Sequence, residues 1–142
     1  MVAEALSDKA AKETKSAIIS VSESTTPGSS ATVELIAAVP GKKIIVTNIN
    51  HVQLLPAFPY GMDWVGAVFK SGSDALTGEL HFANAGLAGG TGYESTVNTS
   101  YMPDGHFKTA SGEALNLTVT DRRSSGGGGT ILVYGYIDYY EE

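Results

Sequence analysis

TILVYGYIDYYEE, residues 130–142, decides how this chain is read. As a strand, it places Ile131, Val133, Ile137 and Tyr139 on one face and Leu132, Tyr134, Tyr136 and Tyr140 on the other, because successive side chains of a β-strand point to opposite sides. Neither face is polar. An antiparallel strand with one wet side alternates apolar with polar residues, so two apolar faces predict that the second is covered as well. Ala114–Thr120 makes the contrast: Leu115, Leu117 and Val119 point one way, and Asn116, Thr118 and Thr120 the other. Two explanations of the last strand stay open. Tyr134 and Tyr136 are ordinary amphipathic surface residues, or Leu132, Tyr134, Tyr136 and Tyr140 lie at a subunit contact, where tyrosine is enriched. The second predicts a homo-oligomer.

Working outward, the same two-residue period recurs upstream. Ala17, Ile19 and Val21 alternate with Ile18, Ser20 and Ser22 until the turn-rich 25–30. Val33, Leu35, Ala37 and Val39 share a face until Pro40 and Gly41 turn the chain. Residues 42–51, 63–71 and 75–83 read as further strands, with weaker strand material at 93–101 and a Pro103-Asp104-Gly105 turn after it. Leu54–Met62, carrying Pro56, Phe58, Pro59 and Tyr60, and the glycine-rich 86–92 read as loops. Short strands between turns predict an all-β fold: an antiparallel β-sandwich of jelly-roll type with about eight strands over residues 16–142. Residues 1–15 are rich in Ala, Lys and Glu, too short to hold an isolated helix in water, and are expected to form an arm that orders against a partner or frays.

Composition narrows the function. The chain has 142 residues, 42% of them hydrophobic and 17% charged, which suits one globular domain. Cysteine is absent, which removes disulfides, thiol nucleophiles and cysteine metal sites. Fifteen acids against nine bases give a net charge of -6, and Arg122 and Arg123 are the only arginines, so no nucleic-acid partner is expected. No run is long enough to span a membrane, and the N-terminal stretch lacks the apolar core of a secretory signal, so a soluble product made inside the cell is expected.

Catalytic chemistry is not legible. His51, His81 and His106 are widely spaced, with neither a His-x-His pair nor HExxH, and each is read as structural. Nucleophile-elbow, phosphate-loop and dinucleotide fingerprints are missing despite 17 glycines. Glu79 and Glu113 lack any spacing that would make them a glycosidase pair. Trp64 is read as core filling, with a sugar-stacking platform beside Tyr60 and Phe58 as the alternative. No enzyme activity, cofactor or metal is expected.

FKTASGEALNL at 107–117, followed after a glycine-rich hairpin by TILVYGYIDYYEE, resembles the C-terminal strand pair of small jelly-roll proteins on tailed-phage virions, especially capsid decoration or cement proteins. The resemblance covers about the last quarter of the chain. It implies a homotrimer on the capsid surface, assembled in the host cytoplasm, that holds neighbouring major capsid protein subunits together against internal DNA pressure. Lys9, Lys12 and Lys15 in the arm and Arg122 and Arg123 in the hairpin are the basic groups expected to meet carboxylates of the capsid. The hairpin at 121–129 has no counterpart in that family pattern. A receptor- or glycan-binding head from a phage fibre or collar is the alternative, favoured by the aromatic loop.

Overall fold

The computed structural model describes residues 13–57, 63–84, 95–123 and 126–142. Among these there is no helix, and the strands are β1 (Lys15–Thr25), β2 (Ser30–Ile36), β3 (Ile44–Ala57), β4 (Asp63–Ser71), β5 (Asp74–Ala75), β6 (Leu80–Asn84), β7 (Ser95–Val97), β8 (Phe107–Lys108), β9 (Leu115–Asp121) and β10 (Gly129–Glu141). All pairings are antiparallel. They are nested: β1 pairs β10, β2 pairs β9, β3 pairs β7 and β8, and β4 pairs β5 and β6. The chain is thus a long ribbon doubled back on itself. Because β10 also pairs β3 and β9 also pairs β4, the ribbon is rolled into two sheets, β1-β10-β3-β7 with β8, and β2-β9-β4-β5 with β6. This is the jelly-roll order.

Alternation supplies the core between the sheets. Ile19 and Val21 of β1, Val46, Ile49 and Val52 of β3, and Ile131, Val133 and Ile137 of β10 meet Val65, Ala67 and Phe69 of β4 and Leu115, Leu117 and Val119 of β9. Phe69 stacks on Phe107 at 5.1 Å between ring centroids, within the range of favourable aromatic pairs.

Three sequence expectations need correction. The strand expected at 42–51 runs on to Ala57, because β10 is long enough to pair it as far as Thr130–Ala57. Pro56 is tolerated there because the last pair with β7 is Leu54–Ser95, and beyond it β3 has a described neighbour on one side only. The strand expected at 75–83 divides into β5 and β6, since Thr77 turns its hydroxyl to accept from the Phe69 N–H at 3.2 Å and interrupts the ladder. Strand material at 93–101 is confined to Ser95–Val97. The glycine-rich 86–92, Phe58–Tyr60 and the Trp64 side chain lie outside the described residues, as do Lys9 and Lys12.

Candidate interaction surface

The two outer faces of the sandwich differ in chemistry. On the β2–β9 side hydroxyls pair across the strands, Ser30 with Thr120 and Thr32 with Thr118, both at 2.8 Å. Glu79 lies over Gly66, where an added Cβ would stand 1.7 Å from its Oε1, and accepts from both Nε and Nη2 of Arg122 at 2.8 Å. These polar groups on that face pair with one another.

On the other side, the unbroken β1–β10 register sets the outward residues in rows: Ser16 with Asp138, Ile18 with Tyr136, Ser20 with Tyr134 and Ser22 with Leu132. Ile18 is 84% exposed, Tyr136 43% and Tyr134 41%. They form one continuous apolar patch, with Leu132 half-buried at its end. A side-chain relay bounds the patch. Ser16 donates to Asp138 at 2.5 Å, Asn50 donates to Asp138 at 2.9 Å, Asn48 donates to Asn50 at 3.0 Å and Thr99 donates to Asn48 at 2.9 Å.

Beyond the relay the same face is covered by the chain itself. Tyr140 pairs in register with Ile45, and both are buried, Tyr140 to 5% exposure. Gly105 packs on Ile45 so closely that a Cβ there would come within 2.4 Å of Cγ2. Tyr140, expected at a subunit contact, is thus covered by its own chain, whereas Ile18 is the most exposed apolar side chain on this face. Ile18 was legible as an outward residue of its strand, but its position opposite Tyr136 depends on a pairing between distant segments.

The centre of β10 carries an irregularity that shapes this face. Between the pairs Tyr134–Gln53 and Tyr136–Asn50 the register passes over Gly135 on one strand and over His51 and Val52 on the other. His51 takes a positive φ of 45° and Gly135 one of 149°. The extra residue lies on β3, and Tyr134 and Tyr136, two residues apart on β10, share the outer face on either side of the glycine.

The two arginines separate. Arg122 is held in the ion pair with Glu79, whereas Arg123 is buried, and its guanidinium donates to Asp121 through Nη2 at 2.7 Å and Nε at 3.0 Å. Its backbone N–H and the Thr25 hydroxyl also donate to that carboxylate, at 3.1 and 2.9 Å. Burial alone would raise the Asp121 pKa, but the bonds from Arg123 and Thr25 and the Arg123 charge hold it below the usual carboxylate range. Arg123 is thus an internal strut and not a contact for a partner. The sequence carried a signal for this, since Asp121 continues the inward row Leu115, Leu117, Val119, where a carboxylate requires a partner. Arg122→Ala, which removes a partly exposed pair, is expected to lower stability by less than about 1 kcal/mol; a thermal melt showing a larger loss would contradict this.

Lys15 lies in β1 itself, where its ammonium meets Glu141 at 3.2 Å. No group of three or more His, Cys, Asp or Glu side chains among the described residues could hold a metal ion. An open hollow of about 550 Å³ lies at one end of the sandwich, lined by Ser24, Thr26, Ser29, Ser30 and Thr130 with Gly129.

No family model matches the chain, and no curated protein matches it. Among solved structures it is similar to a chain in the structure of infectious bursal disease virus Gt strain, with a TM-score of 0.49 and 12% identity, covering 92% of this chain and 32% of that one. A chain in the structure of the Gx strain of the same virus is similar with a TM-score of 0.41 and 16% identity, covering 90% of this chain and 32% of that one. The chain spans about a third of the length of either.

Proposed function

We propose that the protein is a non-catalytic structural component of a virion, a decoration protein that seats a homo-oligomer on the outside of a phage capsid and stabilises it. The observation that carries this reading is the apolar patch of Ile18, Tyr134 and Tyr136 on a sheet face whose opposite number is polar. Soluble monomers seldom leave a contiguous apolar surface of this kind open, and aromatic residues ringed by hydrogen-bonding groups are the usual centre of a protein contact. The jelly-roll order and the likeness of the last strand pair to decoration proteins support the virion setting, and the trimer count comes from that likeness.

The test is cosedimentation of the purified chain with undecorated capsids. The wild-type chain should bind, and Tyr134→Asp with Tyr136→Asp should weaken binding at least tenfold, about 1.4 kcal/mol. Both positions are exposed in the single chain, so the variant should still fold while sedimenting as a smaller species than the wild type. Wild-type protein that stays in the supernatant, or that sediments alone as a monomer of 14.8 kDa, would overturn the reading. The hydroxyl-lined hollow favours a second reading, a glycan-binding head, because clustered hydroxyls suit sugar recognition. A glycan array separates the two.

A further inference from the structure

The sheet β1-β10-β3-β7 has two long borders, and the fold treats them differently. Along β3 the border is closed by β7, β8 and the segment between them: the Ile49 N–H donates to the Thr99 hydroxyl at 2.8 Å, the Met102 N–H to the Thr47 carbonyl at 2.9 Å, and the His106 N–H to the Val46 carbonyl at 2.8 Å. The opposite border is β1. It is an 11-residue strand, its register with β10 has no shift, and among the described residues no strand pairs its other side.

Edge strands are ordinarily protected by proline, by a bulge, by short length or by a lysine in the middle of the strand. β1 has none of these. Its sequence KSAIISVSEST contains no proline and carries charge only at Lys15 and Glu23. The neighbouring border strand, β2, has 7 residues and a bulge between Glu34 and Ile36, so it is the poorer template.

The placement of the two charges selects a register. In an antiparallel self-pairing about Ile19, Lys15 faces Glu23, Ser16 faces Ser22, Ala17 faces Val21, Ile18 faces Ser20 and Ile19 faces its own copy. Every pair joins inward residues to inward or outward to outward, as a continuous sheet requires. Each Lys15 meets the opposite charge at both ends of the pairing, and the two Ile18 side chains become diagonal neighbours on the outer face, within reach of one another.

We infer that β1 is a homotypic docking edge: two copies of this chain join antiparallel about Ile19, with Lys15 facing Glu23 of the partner subunit, and their sheets run on as one across a twofold axis. This surface is distinct from the aromatic contact proposed above and shares only Ile18 with it. A protein using both would link its oligomers to one another sideways.

Disulfide trapping tests the inference cleanly, because the chain has no cysteine. Ser16 and Ser22 are both exposed and lie roughly 20 Å apart within one chain, six residues at about 3.3 Å each, too far for an internal bridge. Oxidised S16C/S22C should therefore run as a covalent dimer in denaturing gels and return to monomer on reduction, while S20C/S24C, whose positions do not face each other in this register, should stay monomeric. The cross-link should persist when Tyr134→Asp and Tyr136→Asp are added, which separates failure of this edge from failure of the aromatic contact. Glu23→Lys should raise the dimer dissociation constant measured by sedimentation at least tenfold, and adding Lys15→Glu should restore it. An S16C/S22C protein that remains monomeric, equal cross-linking of both cysteine pairs, or an unchanged constant for Glu23→Lys would each overturn the inference.

Discussion

Asp121→Asn is expected to remove about 3–5 kcal/mol of stability, the usual consequence of leaving one member of a buried ion pair without its counter-charge. The replacement keeps the shape of the side chain but removes the charge that faces the Arg123 guanidinium at 2.7 Å, where both side chains are almost fully shielded from water. For a domain whose whole stability is about 5–15 kcal/mol, that brings unfolding close to ambient temperature. Asp121→Asn combined with Arg123→Met should recover much of the loss, because removing both charges also removes their desolvation. The pH dependence has a definite sign. The Asp121 carboxyl titrates lower in the folded protein than in the unfolded chain, where the value is about 3.9. Its stabilisation is therefore complete above that pH and is lost as pH falls through the native value. Urea titrations at a series of pH values should show that acid limb attenuated in Asp121→Asn. A loss below about 1 kcal/mol at neutral pH would mean the pair is effectively hydrated.

Gly135→Ala is expected to cost roughly 3 kcal/mol or more, combining overpacking with an unfavourable backbone conformation. An added Cβ would stand 2.7 Å from the Val52 Cα, 2.9 Å from the His51 carbonyl oxygen and 3.0 Å from that of Asn50. All three are backbone atoms, so no side-chain rotation relieves the clash, and the φ of 149° is one that L residues rarely adopt. Since the glycine separates Tyr134 from Tyr136, moving the strand should also weaken the proposed subunit contact beyond what the lost stability explains. Gly28→Ala is the informative comparison: its φ is also positive, but nothing lies within 4 Å of the added atom. If the two variants melt at the same temperature, close approach is not what fixes Gly135.

The fold was legible wherever a strand has one wet side. The Leu115, Leu117, Val119 row and the Ile19, Val21 row follow from the two-residue period, and both point into the core. The last strand was legible in a different way, because its lack of a polar face is a local property of the chain. What the period could not reveal is what lies on top of each outward residue. Tyr136 and Tyr140 have equal claims to exposure by alternation, yet Gly105 folds onto Ile45 beside Tyr140 and nothing comparable among the described residues covers Tyr136. That distinction depends on a turn at Gly105, more than thirty residues from Tyr140 by sequence. Arg123 was misread for the same reason: two adjacent arginines in a polar hairpin look alike until the partner of each is known. Asp121 itself was readable, and its inward parity outweighs the polar character of its neighbours.

The nested pairing also governs the order in which the molecule can be made. Of the described strands β10 is made last, and it lies between β1 and β3 in the finished sheet; Lys15 meets Glu141 across a separation of 126 residues. Half of the sandwich therefore has no central strand until β10 has been made, and β1 waits unpaired until then. Topologies dominated by such distant contacts refold in milliseconds to seconds, where helical bundles take microseconds to milliseconds. During that interval the border of β1 that β10 will fill is open as well, and the strand edge proposed to join two finished subunits, which no described strand pairs, is available to any other nascent chain.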